Sequence, residues 1–461
     1  MQIFVYSYFP PLATHQAGGV QRLTHDLIVG FVKSGARVTV LCPEHDGGDL
    51  LDLGADLRVL PVLKEVDRRP LYPYEYQHNL QYLSLALEGA DVIWTIDRRF
   101  PLEVSQPVVL SLNNFSYGTE MDSLFSFSWD TLVVPSDYLL RGSQAVVGEE
   151  FWEGSPPVIS LIPYGIDTSF FRRSDPSALC ANLGIPVIDS YIVFPHRPDL
   201  YKGFHTALRV LSRLNTNGSR YKLLIPSNPQ SVRTVRLSEQ SLINSVRENA
   251  EHLGIQDDII FHEWIPLDQL PAYYSLAKWC LSLSLLPEGF GLTPIEAVSC
   301  GTPVISTESG AQGELLPPGH GVEYVGFGEV DEILRVLERG VSDSAVDRGR
   351  DFVSSNYQLD RFVTDYLECF ASTRKVTSRY NPNPRITEKL SPWCRAVSDS
   401  SIWHDYEMQT VALSSTEQAF LKATDGFSDL NAYDERDRER LLDAGIICGN
   451  VTAEGSPKKN T

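Results

Sequence analysis

Basic residues are in short supply in this chain. Its 461 residues include 39 lysines and arginines against 59 aspartates and glutamates, a formal net charge of −20 at pH 7. A surface of that sign repels nucleic-acid phosphates and anionic lipid headgroups, so neither is expected as a partner. Clustered cysteine is absent too. The seven cysteines, at 42, 180, 280, 300, 369, 394 and 448, are odd in number and never spaced C-x-x-C. That excludes a disulfide framework or a cysteine zinc site and points to free thiols in a reducing compartment. No apolar run is long enough to cross a bilayer, and Met1-Gln2-Ile3-Phe4-Val5-Tyr6 reads as a strand, not as a basic leader. The expectation is a cytoplasmic protein without integral membrane contact. No Asp-x-Asp stands in a loop suited to a metal, because Asp257-Asp258 has no spacer. No metal and no cofactor are therefore expected. A G-x-G-x-x-G dinucleotide fingerprint is also missing, since the first loop offers only Gly18-Gly19.

What is there has the composition of an ordinary globular protein, with length for two or three domains. Over residues 1–165 apolar strands alternate with amphipathic helices. Strands are predicted at 3–8, 37–42, 59–63, 92–95, 108–112, 132–134 and 158–162. Val20 to Lys33 reads as a helix, with Leu23, Leu27 and Phe31 on its apolar face. After a linker over 163–189, a second alternation starts at Tyr191-Ile192-Val193-Phe194, with further strands near 223, 259, 279 and 304. Helices are predicted at 242–253, 270–277, 329–340 and 346–370. Strands separated by helices make a parallel sheet, and such sheets bind ligands beyond their strand C-termini.

Residues 373–400 are polar and contain Asn381-Pro382-Asn383-Pro384, which reads as a linker. Residues 401–450 then read as a small separate unit. Ser414-Ser415-Thr416-Glu417 is a capping box opening a helix with Phe420 and Leu421 inward. Asp425-Gly426 is a turn, Asp434 to Leu442 a second helix, and Ile446-Ile447-Cys448 a short strand. This pattern resembles a small winged-helix or PqqD-like α+β module. It is read either as a recognition unit or as a brace for the fold or for a homodimer.

The richest stretch is Pro287-Glu288-Gly289-Phe290-Gly291-Leu292-Thr293-Pro294-Ile295-Glu296. A glycine-flanked turn leads into a helix that Ser299-Cys300-Gly301-Thr302-Pro303 ends, and a strand starts at Val304. A helix N-terminus offers free N–H groups and partial positive charge, so it suits phosphate. One glutamate lies on the loop and one two turns into the helix, each able to hold a sugar hydroxyl. Glu288-Gly289-Phe290-Gly291, Glu296-Ala297, Gly301 and Pro303-Val304 resemble the Glu-x7-Glu signature of retaining GT-B glycosyltransferases of the family-four type, which use nucleotide-sugar donors. Pro163-Tyr164-Gly165-Ile166-Asp167 resembles the junction of that family, commonly P-N-G-I-D.

The resemblance covers about residues 1–372. It implies two Rossmann-like domains facing across a cleft: 1–165, with a crossing helix near 358–372, for the acceptor, and 170–357 for the donor. In His196-Arg197-Pro198-Asp199-Leu200-Tyr201-Lys202-Gly203, the resemblance assigns Arg197 and Lys202 to the diphosphate, with His196 where the family has glycine. Their charge stabilises the leaving phosphate, replacing a metal. Glu296 would take the ribose hydroxyls and Glu288 the donor sugar, with Phe290, Gly291, Leu292 and Thr293 lining sugar or phosphate through the helix N-terminus. Gly18 and Gly19 form the glycine loop of the first domain. Glu263, after the strand near 259, would meet the base; guanine offers a carboxylate two adjacent donors and uracil one, which favours GDP slightly over UDP. The family histidine after the strand ending near 112 is replaced by Asn113-Asn114, neither of which titrates. That fits transfer on one face, with the departing phosphate taking the acceptor proton. His15 and Asp97 join Asn113 and Asn114 as acceptor-side candidates, and Tyr72, Tyr74 and Tyr76 as an acceptor wall. The expected activity is retaining transfer from a nucleotide-diphosphate sugar to a soluble small molecule. Transfer to a lipid-linked or polysaccharide acceptor, or donor binding without turnover, are the alternatives.

Overall fold

The computed structural model describes the chain except residues 14–17, 46–47, 66–70, 189, 197–199, 219, 227–238, 382–388, 425–434 and 449–461. Arg197, His15, the Asp425-Gly426 turn and Asp434 thus lie outside the described residues.

Two parallel sheets organise it. The first has strands β1 (Gln2–Tyr6), β2 (Arg37–Pro43), β3 (Leu57–Leu63), β4 (Val92–Ile96), β5 (Val108–Ser111), β6 (Thr131–Val134) and β7 (Val158–Leu161), in the order β3-β2-β1-β4-β5-β6-β7. The second has β8 (Tyr191–Val193), β9 (Lys222–Pro226), β10 (Ile259–His262), β11 (Trp279–Ser282), β12 (Val304–Thr307) and β13 (Val322–Val325), in the order β10-β9-β8-β11-β12-β13. β4, β5, β6, β11 and β12 are buried along their whole length, as sheets covered on both faces require. Each order reverses beside its first strand, and ligand crevices form at such reversals. In the first sheet that point is β1 beside β4; in the second it is β8 beside β11.

Helix α1 (Gly19–Lys33) follows β1, α2 (Asp137–Val147) follows β6, and α3 (Leu292–Ser299) follows β11. Residues 346–370 do not form one helix. Asp343–Asn356 and α4 (Leu359–Ser372) are separate, because the chain breaks at Tyr357-Gln358 to pair its backbone with Ile166. α4 then packs on α1. A Cβ on Gly30 would lie 2.3 Å from Val363, and the Tyr366 hydroxyl is 2.8 Å from Ser111 Oγ on β5. Phe31, Trp94, Tyr366 and Phe370 interlock, edge to face or tilted, at 5.4–6.4 Å. One buried cluster therefore contains residues of both lobes, from Leu27 and Trp94 to Ile295 and Phe362.

Two linker readings are corrected. The short helix Ser177–Leu183, ended by left-handed Gly184, lies inside 163–189. The end of 373–400 is also structured. Strands β14 (Cys394–Ser398), β15 (Ser401–His404) and β16 (Gln409–Ala412) form an antiparallel sheet, and Lys389–Leu390 pairs with Ile447–Cys448. Helices α5 (Ser415–Thr424) and α6 (Glu435–Asp443) complete this unit around Leu441, Ile446 and Ile447, with Leu421 against them. The capping box is present: Glu417 N donates to Ser414 Oγ at 3.2 Å, and Ser414 N donates to Glu417 Oε2 at 2.7 Å. The Phe420 side chain lies outside the described residues.

Candidate active site

The amino ends of α1 and α3 face each other across the cleft. Gly18 caps α1 in an extended conformation, and a Cβ on Gly19 would lie 3.2 Å from Leu292 Cδ1 at the start of α3. Gly291, with φ 99°, turns the chain into α3. Two positive helix ends thus share one mouth, a geometry that concentrates anion affinity. Gly289 brings the lobes closer still, since a Cβ there would stand 1.9 Å from the Asn113 carbonyl oxygen. Ser136 Oγ donates to Gly289 O at 2.7 Å across the same seam.

The two glutamates of the motif sit in different surroundings. Glu288 is half-buried and ion-paired with Lys202 of its own lobe. Burial works against its charge, but Lys202, with His196 and Ser284, outweighs burial and holds the carboxyl below the ordinary glutamate value. Lys202 is aimed by Gly203, whose φ of 79° and closeness to Leu283 O leave no room for a side chain. Glu296 is buried, 3% exposed. Arg22 of α1 pairs with its Oε1, and the Tyr274 hydroxyl donates to Oε2 at 2.8 Å. Arg22 also lies 5.3 Å from the Phe171 ring centroid. Burial opposes the arginine's charge, yet Glu296 and Asp26 together raise its pKa.

On the first lobe, Asp97 ends β4 in a left-handed conformation (φ 50°) and is 8% exposed. Its carboxylate accepts from Asn113 N and Nδ2, both at 2.8 Å. Burial first, then the charge of Glu120, pushes its pKa up to about 7 despite those bonds. Asn113 Oδ1 in turn accepts from the Tyr164 hydroxyl. Tyr164 packs on Phe290 at 4.7 Å, so the Phe290 side chain is a buried joint between lobes and only its backbone can face a ligand. The two departures from the family pattern, Asn113 for histidine and Tyr164 for asparagine, touch each other. Asn114 turns its amide oxygen into its own loop, accepting from Phe115 N and Ser116 N.

Lys202, Glu288, His196, Gly18, Gly19, Gly291, Leu292, Glu296, Asp97 and Asn113 thus lie around one mouth or the wall behind it. Glu263 stands exposed at the end of β10. Tyr72, Tyr74 and Tyr76 are 48–65% exposed, so they are not core aromatics. The sequence reading missed Arg22, Tyr274 and Tyr164. A signal existed for the first: an arginine one turn into the helix that follows the Gly18-Gly19 loop. Among the described residues, no group of three or more His, Cys, Asp or Glu could hold a metal ion, and no helix is long and apolar enough to cross a membrane.

Residues 180–351 match the family described as "Glycosyl transferases group 1". A D-inositol 3-phosphate glycosyltransferase of Acidothermus cellulolyticus is 28% identical over 255 residues, covering 50% of this chain and 53% of the relative. The chain spans about half the length, or less, of the first of the curated relatives it matches. Among solved structures, sucrose-phosphate synthase from Thermosynechococcus elongatus superposes with a TM-score of 0.68 at 18% identity, over 80% of this chain and 99% of the other. Anabaena HepE in complex with UDP-glucose superposes at 0.60 and 16% identity, over 81% of this chain and 100% of the other. These neighbours share the fold of two facing parallel-sheet lobes. Over residues 180–351 the chain is similar to the group 1 glycosyltransferases, and its fold is that of the GT-B neighbours.

Proposed function

We propose that this protein transfers a sugar, with retention of configuration and without a metal, from a nucleoside-diphosphate sugar to a soluble small-molecule acceptor. The observation that carries the reading is the Lys202–Glu288 pair set where the helix ends at Gly19 and Leu292 converge. The donor lies on residues 170–357. Its diphosphate sits at the amino end of α3, against Lys202 and Arg197. Glu296 accepts from the ribose hydroxyls and Glu288 from the sugar. The acceptor enters over Asp97 and Asn113 of the first lobe. The anomeric carbon–oxygen bond to the diphosphate breaks as the acceptor oxygen attacks the same face. The departing phosphate oxygen takes the acceptor proton, leaving the nucleoside diphosphate and the new glycoside. Lys202, Arg197 and the helix ends offset the charge gathering on that phosphate, each such donor contributing about 10²–10³-fold.

Glu263 is the residue proposed to favour guanine over uracil. HepE, the neighbour above, was solved with UDP-glucose, so both nucleotides belong in the first test. Thermal shift with GDP, UDP, ADP, CMP and dTDP, each with and without magnesium, is the direct measurement. A metal-independent shift with one diphosphate, reduced in Glu296→Gln and Lys202→Ala, supports the reading. No shift with any of them overturns it. Retention is then read by NMR of the anomeric product.

A further inference from the structure

The appended unit lies on the seam between the lobes and grips both. On the first lobe, Tyr138 of α2 donates its hydroxyl to Tyr406 at 3.3 Å and also bonds to Asp405. Trp393 packs on the cluster that contains Tyr138, Leu139 and, from the second lobe, Ala311. On the second lobe, Trp403 stacks on Phe327 with centroids 4.2 Å apart and planes 11° from parallel. Arg395 covers the same ring at 4.9 Å, donates to the Glu308 carbonyl at 2.9 Å and lies 3.6 Å from the Glu308 carboxylate.

Glu308 begins the loop that holds the catalytic glutamate's backbone. Ser309 Oγ donates to Leu286 O at 2.6 Å, and Ala311 N donates to Glu288 O at 2.8 Å. Gly310 runs beside Glu288 as a parallel bridge, so close that a Cβ would lie 2.5 Å from Glu288 O. One rigid path therefore runs from the appended unit through Arg395 and residues 308–311 to Glu288. A second runs through Asp405 and Tyr406 to α2, whose start Glu314 already ties to the other lobe through Tyr138 N at 2.9 Å and Arg141 at 2.7 Å.

We propose that the appended unit is an intramolecular clamp that holds the cleft closed and positions the Glu288 loop, with Arg395 and Trp403 as the positioning residues on one lobe and Tyr138 as their anchor on the other. Opening the cleft requires release of at least one side of the clamp. Residues touching neither ligand then set how readily donor enters and how well Glu288 is aimed. The kinetic part rests on the proposed transferase reading, whereas the opening of the lobes does not.

The test uses the full chain, with spin labels at the exposed positions Asp122→Cys and Glu338→Cys, one per lobe, in a Cys448→Ser background. Interlobe distances are measured in the Arg395→Ala/Trp403→Ala variant, in Tyr138→Phe, and in their combination. Each single release is expected to broaden the distribution toward longer distances. The combination is expected to add little, because a clamp freed on one side is already open. With UDP or GDP as probe, binding is expected to change by about threefold to tenfold, the range one aromatic stack supports. Arg395→Lys, which keeps the charge, is expected to restore part of the effect. Unchanged distances in all three variants, or strictly additive broadening, overturn the clamp, and a fall in melting temperature alone reduces the unit to a structural prop. If distances shift but the wild-type chain turns over no sugar nucleotide, the transferase reading fails and the clamp stands.

Discussion

Glu288 on its loop and Glu296 on its helix are eight residues apart, yet the one side-chain type is used in two ways. Glu288 meets a lysine of its own lobe, with the pair 24% and 17% exposed. Glu296 meets an arginine of the opposite lobe, with the pair 10% and 4% exposed. The first arrangement leaves a carboxylate that can exchange partners with a ligand at little cost. The second fixes a carboxylate that cannot be left alone, because an unpaired charge in that setting is expensive. Spacing in a motif therefore sets the position of two groups, and burial sets what each can do.

The strongest way to break this contrast is to remove Arg22. Arg22→Ala leaves Glu296 buried with, among the described residues, only the Tyr274 hydroxyl, and is expected to cost about 4 kcal/mol of stability. Urea or thermal unfolding measures it. A loss under about 1 kcal/mol means that water reaches Glu296, and the two glutamates are then alike. Arg22→Ala combined with Glu296→Gln is expected to recover much of the loss, since no bare charge remains.

Removing the other cation has the opposite profile. Lys202→Ala is expected to cost only about 1 kcal/mol of stability, as partly exposed pairs do. Turnover of the donor is expected to fall by about 10²–10³-fold, provided the lysine faces the leaving phosphate. Glu288 is held below its ordinary value in the folded chain. Its pairing thus stabilises the protein above the unfolded glutamate value near pH 4.3 and is lost as pH falls through the lower folded value. The stability gap between wild type and Lys202→Ala should close on that acid limb. A gap that persists there assigns Lys202 a role other than this pair.

Asp97 extends the comparison to a carboxylate that, among the described residues, has amide donors and no cation. Burial pushes its pKa up to about 7. A raised folded value reverses the sign. The folded chain binds the extra proton between about pH 4 and pH 7, so stability declines as pH climbs through that window. Asp97→Asn is expected to flatten that decline, on the order of 2 kcal/mol across the window, because part of the rise belongs to the charge of Glu120. A slope that survives the substitution puts the titration elsewhere.

The alternation of strand and helix was legible because both sheets are parallel and covered, so most strands are short apolar runs and helices separate most of them. The Glu288–Glu296 motif was legible because loop, helix and strand are contiguous from Pro287 to Val304. Partners distant in sequence were not. Arg22 and Glu296 are 274 positions apart, and Tyr164 and Asn113 are 51 apart. The sheet at 394–412 escaped notice because its strands, Cys-Arg-Ala-Val-Ser, Ser-Ile-Trp-His and Gln-Thr-Val-Ala, are short and half polar. Its packing comes from Trp393, Trp403 and Ile402, which only the folded chain brings to surfaces that need them.

The smallest expected effect sharpens the contrast most finely. Tyr164 joins the Asp97 network to the Phe290 end of the Glu288–Glu296 motif through one hydroxyl and one ring. Tyr164→Phe keeps the ring and removes the hydroxyl, leaving Asn113 Oδ1 without that donor. A loss of about 1 kcal/mol is expected, the net worth of one such bond. The ring contact with Phe290 should hold the lobes as before, so interlobe distances should not move. Asn113 loses one of the two groups that fix its amide, and its bonds to the Asp97 carboxylate weaken. The Asp97 pKa should therefore rise further, carrying the stability decline to higher pH. If the decline stays where it was, the hydroxyl does not orient Asn113, and the two departures from the family pattern are neighbours without being coupled.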